Sequence, residues 1–192
     1  MSAQPQQNWY TLEEYYALEN ASDRRWEYWD GDIVCMSGGV EPHGTITANV
    51  HTTLDNLFES AGCRAFTDGQ AVRAKLTSGY AYPNSSVACN PMFSRHPERG
   101  IDILTNPVVI TEVTSKDSFI RDHEKKKEAW RINESLRDYL IIEPDAVVIT
   151  HYLKVGNDWR RLVYSDLDDK IELVSGVTLP ISRIYRDVKF DA

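Results

Sequence analysis

Residues 108–113 read Val108-Val109-Ile110-Thr111-Glu112-Val113, a nearly continuous β-branched run with one acid near its end. Such a run marks a strand buried on both faces, because a half-exposed strand alternates apolar and polar residues. Covering both faces takes helices above and below, so the run predicts an α/β fold with a mixed β-sheet flanked by helices. Glu112 is out of character there, since a carboxylate in the most hydrophobic strand of the chain is costly to bury.

On the N-terminal side, Thr11-Leu12-Glu13-Glu14 has the form of a capping box and opens a short helix to about Glu19. Arg25 to Trp29 and Asp32 to Met36 flank Asp30-Gly31, a two-residue hairpin turn, and Ser37-Gly38-Gly39 reads as a loop. From His43 to about Ser60, Ile46, Val50, Leu54, Leu57 and Phe58 recur at helical spacing, and Gly62 stops the helix. Strands are expected at Arg64 to Phe66, Ala71 to Leu76 and Ser86 to Cys89, with a loop from Pro91 to Asn106.

On the C-terminal side, a charged helix spans about Ile120 to Asn133. Strands follow at Asp138 to Ile142 and Ala146 to Leu153, separated by the turn Glu143-Pro144-Asp145. Trp159 to Ser165 pairs with the second of these across Gly156-Asn157, and Leu179 to Arg186 is expected to form a last short helix.

At 192 residues the chain suits one compact domain. Its 42% hydrophobic and 26% charged residues exclude disordered and fibrous classes. The polar start, Met1 to Asn8, lacks a signal pattern, and no apolar stretch is long enough to span a bilayer. Cys35, Cys63 and Cys89 form no Cys-x-x-Cys pair and read as reduced, packed thiols of a cytoplasmic protein. The net charge of -8 argues against a surface that grips many phosphates, although metal-dependent nucleases gather acids at their sites.

The chemistry lies in a split constellation: Pro83-Asn84 on one run, Glu112-Val113-Thr114 ending another, and Lys126 on the helix that follows. Acids at neighbouring strand ends suit magnesium, which takes oxygen ligands and often only one or two carboxylates. A lysine beside them would attend the attacking water of phosphodiester hydrolysis. Composition alone reads Lys126 and Asp122 as part of a solvated helix face. His43, after Pro42 at a helix start, reads alone as a capping or packing residue. Glu27, between Trp26 and Tyr28, reads equally as an exposed strand glutamate or a functional one. Gly-rich phosphate loops, His-Glu-x-x-His and Gly-x-Ser-x-Gly are absent, and the five histidines are scattered.

In order along the chain, these residues resemble the Uma-type family of restriction-endonuclease-like proteins, long known only as a domain of unknown function. The resemblance runs from Tyr10-Thr11-Leu12-Glu13-Glu14-Tyr15 to Leu179-Pro180 and Ile184-Tyr185. It includes Arg25-Trp26-Glu27-Tyr28-Trp29-Asp30-Gly31, Met36-Ser37-Gly38-Gly39, Pro42-His43, Tyr82-Pro83 and Thr111-Glu112-Val113. Asp122 with Lys126 ahead of Trp130, and Ser135-Leu136-Arg137-Asp138-Tyr139, complete it.

The resemblance implies a fold like the PD-(D/E)XK nucleases, with residues 1–192 forming one restriction-endonuclease-like domain and 1–8 a flexible tail. It implies Mg2+ or Mn2+ held by position 84 and Glu112, and a lysine moved from position 114 to the helix as Lys126. Glu27 and His43 would line the cleft, and Asp122 would support Lys126. DNA is the implied substrate, no membrane is involved, and cutting two strands suits a two-fold homodimer.

The departure is Asn84, which stands where the family pattern has the metal-binding acid and removes a full negative charge. A natural loss of that acid, an altered chain, or a replacement ligand from Asp102 or Asp117 are all compatible with the sequence. The expectation is therefore a metal-dependent endonuclease impaired by Asn84. The alternative is a catalytically inactive nuclease-fold module that binds nucleic acid or a protein partner.

Overall fold

The computed structural model describes residues 9–29, 31–36, 41–74, 80–96, 99–114 and 122–190. The expected tail at 1–8, the loop at 37–39, Asp30 of the hairpin turn and Asp117 lie outside the described residues.

The first helix, α1 (Leu12–Asn20), begins as its capping box predicts: Thr11 Oγ1 accepts from Glu14 N at 3.2 Å, and Thr11 N donates to Glu14 Oε2 at 2.7 Å. The hairpin follows, β1 (Trp26–Trp29) against β2 (Asp32–Cys35), with Trp29 opposite Asp32 and Glu27 opposite Val34. The long helix α2 (Glu41–Phe58) starts two residues earlier than its apolar spacing indicates. Pro42 is tolerated there because first-turn N–H groups have no partner within the helix. A 3-10 turn (Glu59–Ala61) and Gly62, at φ 68°, end it.

The main sheet has six strands in the order β11-β10-β9-β8-β5-β3. In chain order these are β3 (Cys63–Thr67), β5 (Ser85–Cys89), β8 (Val109–Val113), β9 (Asp138–Ile142), β10 (Ile149–Val155) and β11 (Asp158–Tyr164). β8 and β9 run parallel and every other neighbouring pair is antiparallel, so the sheet is mixed as expected.

Successive side chains of a strand point to opposite faces. Val109 and Val113 of β8 pack with Ile46, Val50, Leu54 and Phe58 of α2. Ile110 packs on the other face with Trp29, Trp130, Tyr139 and Ile141. Glu112 shares the parity of Ile110 and so belongs to that second, tryptophan-lined face.

Four expectations need correction. The stretch 91–106 is not a plain loop: β6 (Phe93–Arg95) and β7 (Asp102–Leu104) join β4 (Ala71–Val72) in a three-stranded sheet ordered β4-β7-β6. Strands this short carry no readable two-residue period. The charged helix is partly a π turn (Asp122–Lys126), continued by α3 (Lys127–Arg131). The last helix shrinks to α4 (Ile181–Ile184), because Leu179 and Pro180 belong to β13 (Thr178–Pro180), which pairs with β12 (Lys170–Glu172). Finally, Cys63 and Cys89 are joined in a disulfide, while Cys35 is free. Sequence spacing hides that pair, but strand pairing sets the two residues directly opposite, with Cα atoms 3.9 Å apart.

Candidate active site

Three separate segments deliver charge to one buried point on the tryptophan-lined face. Lys126, the last residue of the π turn, places Nζ 3.1 Å from Glu27 Oε2 and 3.2 Å from Glu112 Oε1. All three residues are buried, with relative exposures of 5%, 1% and 3% for Lys126, Glu27 and Glu112. Burying two carboxylates and one ammonium is costly unless they pair, and here the ammonium meets an oxygen of each acid.

Glu27 is held on both oxygens. Its Oε1 accepts the backbone N–H of Tyr82 at 2.9 Å, and its Oε2 accepts Trp29 Nε1–H at 3.0 Å. The Lys126 ammonium also lies 5.4 Å from the centroid of the Trp29 ring, within cation–π range. Trp29 in turn meets Trp130 edge-on, with centroids 5.6 Å apart. Trp29 thus touches both charged partners and anchors the helix that carries Lys126.

Asn84 sits immediately before β5. The register that pairs Ser85 with Thr111, continued by one residue, sets Asn84 opposite Glu112. Its Oδ1 accepts the backbone N–H of Val113 at 2.8 Å. The carbonyl that could have ligated a metal is therefore engaged by the backbone, and the other polar end of the side chain is an NH2 donor, the wrong polarity for a cation. Among the described residues no group of three His, Cys, Asp or Glu side chains forms a metal-holding set. Two carboxylates do converge on a cation at Lys126, however, and magnesium is commonly held by one or two carboxylates with waters and phosphate. The donor set fits a divalent ion at the glutamates, while Asn84 offers only a neutral carbonyl that already accepts one N–H.

The other candidate residues lie around this cluster. His43 is half-buried in the first turn of α2. Asp122 opens the π turn, and its side chain lies outside the described residues. Thr114 fills the position two residues past Glu112 and is buried. Asp102 is exposed and pairs with Arg95 at 3.1 Å, so it supplies no replacement ligand to the cluster.

Sequence reasoning missed Trp29, Tyr82 and a further buried carboxylate, Glu19. Glu19 is fully buried, accepts Trp26 N at 2.8 Å and Tyr80 Oη at 2.6 Å, and pairs with Arg99. It fastens α1 to the hairpin that carries Glu27. Beside it, burial first and Glu19 next push the Tyr82 phenol up to about 12. The missed signal was the aromatic frame of Trp26-Glu27-Tyr28-Trp29, which has a ring on both faces and so conceals which face is buried.

The chain belongs to the Uma2 family, described as "Putative restriction endonuclease", whose profile matches residues 12–182. It is similar to the uncharacterized protein slr1290 of Synechocystis, 29% identical over 180 residues, covering 93% of this chain and 92% of that one. It is also similar to sll1609 of the same organism, 26% identical over 148 residues and covering 77% and 82% of the two chains. Among solved structures it resembles a protein of Anabaena variabilis described as a "putative nuclease belonging to DUF820". That match has a TM-score of 0.71 at 20% identity and covers 92% of this chain and 97% of that one. At that identity the likeness concerns the fold.

Proposed function

We propose that this chain carries an endonuclease site for DNA, built on Glu112, Glu27 and Lys126 and weakened by Asn84. The observation that supports it is the buried Lys126 bridging two carboxylates beside the start of β5, in a chain of a restriction-endonuclease family. Such a site needs a cation near the phosphate and an oriented water. A bound Mg2+ or Mn2+, with Glu112 as its carboxylate ligand, would supply charge neutralisation and a more acidic water. Lys126 contributes hydrogen-bond donors on a point charge and orients a water or a phosphate oxygen. Trp29 and Tyr82 keep Glu27 from rotating, and the surrounding aromatics exclude bulk water. His43 and Asp122 are proposed to line the cleft.

The test is cleavage of supercoiled and linear DNA, with Mg2+ and with Mn2+, by the native chain and by Asn84→Asp. In the variant, one carboxylate oxygen keeps the Val113 N–H bond and the other presents a negative charge in place of the NH2. Weak cleavage that rises with Asn84→Asp is expected. Absence of cleavage by both forms with both metals would sink the proposal.

A second reading has its own support. Asn84 is neutral and its Oδ1 already accepts Val113 N–H, so the position brings no charge to hold a metal, as suits a nuclease fold kept for binding nucleic acid or a protein partner. Salt-sensitive DNA binding without cleavage would select the nucleic-acid version, since phosphate contacts release counterions.

A further inference from the structure

We infer that in this chain the cation seat has moved from position 84 to the pair Glu27–Glu112, and that the Lys126 ammonium and a divalent metal ion occupy that seat in turn. The inference rests on the nuclease reading above and concerns which residues take the metal and what must leave for it.

Three observations carry it. Glu27 and Glu112 come from unconnected strands, yet each has an oxygen within 3.2 Å of one cationic atom, so a point between them is already a cation position. Glu27 is pre-oriented as a ligand, its two oxygens fixed by Tyr82 N–H and Trp29 Nε1–H, and such outer hydrogen bonds are the usual support of a ligating carboxylate. Asn84, by contrast, brings no negative charge to a cation, and its neutral Oδ1 already accepts Val113 N–H.

Two ionised carboxylates buried this deeply are stabilised by a positive charge between them. A dication satisfies the pair better than an ammonium, but the two cannot share one seat, because like charges in contact in a poorly solvated pocket repel strongly. Metal entry therefore requires Lys126 Nζ to withdraw. Its four-carbon stem lets it swing while the backbone of the π turn stays put. Withdrawal also takes it off the Trp29 ring, so tryptophan emission changes as metal enters. In this protein Lys126 is a placeholder first and a water-orienting group only after the exchange.

The experiment is calorimetric titration of Mn2+ into the full chain and into Glu27→Gln, Lys126→Met and Asn84→Ala, with tryptophan fluorescence followed in parallel. Glu27→Gln should weaken Mn2+ binding by about tenfold or more, the usual cost of losing a ligand or its support. Lys126→Met should strengthen it by about tenfold or more, because the competing charge is gone. Asn84→Ala should leave it within about threefold, since no ligand is lost.

Weaker binding by Lys126→Met, or indifference to Glu27→Gln, overturns the inference. If Lys126→Met is unfolded without metal, Mn2+ must restore its melting transition, and failure to do so also overturns it. The nuclease reading is judged separately. The expected binding pattern without DNA cleavage by Asn84→Asp leaves the exchange standing and removes the nuclease. Cleavage with metal affinity indifferent to Glu27 does the reverse.

Discussion

Replacing Lys126 by Met should be among the most destabilising single changes in this protein, although lysine is ordinarily a surface residue. At 3.1 and 3.2 Å, and with an effective dielectric of about 20, each contact to Glu27 and Glu112 is worth about 5 kcal/mol of gross attraction. Desolvation offsets much of that while the cluster is intact. Removing the cation alone leaves two buried carboxylates facing one another, and breaking a buried pair in this way costs about 3–5 kcal/mol. For a chain of this size the melting temperature should fall by about 6–20 °C, at about 2–4 °C per kcal/mol.

The assay is thermal unfolding in metal-free buffer at neutral pH, with Lys125→Met as the control. Lys125 pairs with Asp32 but its side chain is 48% exposed, so that change should cost no more than about 1 kcal/mol. The triple variant Lys126→Met, Glu27→Gln, Glu112→Gln should recover much of the loss, because removing all the charges leaves nothing unpaired. If Lys126→Met melts with Lys125→Met, the three residues are not a desolvated cluster and the argument fails.

Two other outcomes follow from buried groups elsewhere. Asp138, fully buried, accepts His151 Nε2–H at 2.8 Å and Val174 N–H at 3.1 Å, so Asp138→Ala should cost about 3 kcal/mol or more and speed hydrogen exchange at the Val174 amide. Burial raises the phenols of Tyr15, Tyr80 and Tyr82, the last up to about 12, so the folded chain keeps protons that the unfolded chain releases above pH 10. Stability should be intact below about pH 10 and decline as pH rises through about 12, and tyrosinate absorbance should climb in step with unfolding.

Residues whose signals are local were legible in the sequence. The capping box at Thr11, the hairpin around Gly31 and the β-branched run at β8 each state their structure within a few positions. Glu112, Lys126 and Glu27 could be singled out, two of them by misplacement and resemblance, but not the contact that unites them. Glu27 and Lys126 stand 99 positions apart, as their numbers show, and only the packing of the hairpin against the π turn joins them. The same holds for Cys63 and Cys89, for Glu19 with Arg99, and for Asn84 with Val113. The short strands β6, β7, β12 and β13 escaped notice because three residues hold no period, and their existence depends on partners found by the fold.

The π turn at residues 122–126 has a consequence for how a side chain can change its post. An α-helix advances about 100° of azimuth per residue, so a single extra residue in a wide turn rotates everything after it by roughly that angle. Here Trp130 reaches the apolar layer downstream while Lys126, at the seam, faces the acids. Lys126 and Trp130 stand four residues apart and so share one face of the helix, the ring bedded in the core and the ammonium meeting the acids. One surplus residue in the turn thus works as a phase shifter for both at once, setting the bearing of the ammonium and of its aromatic anchor together.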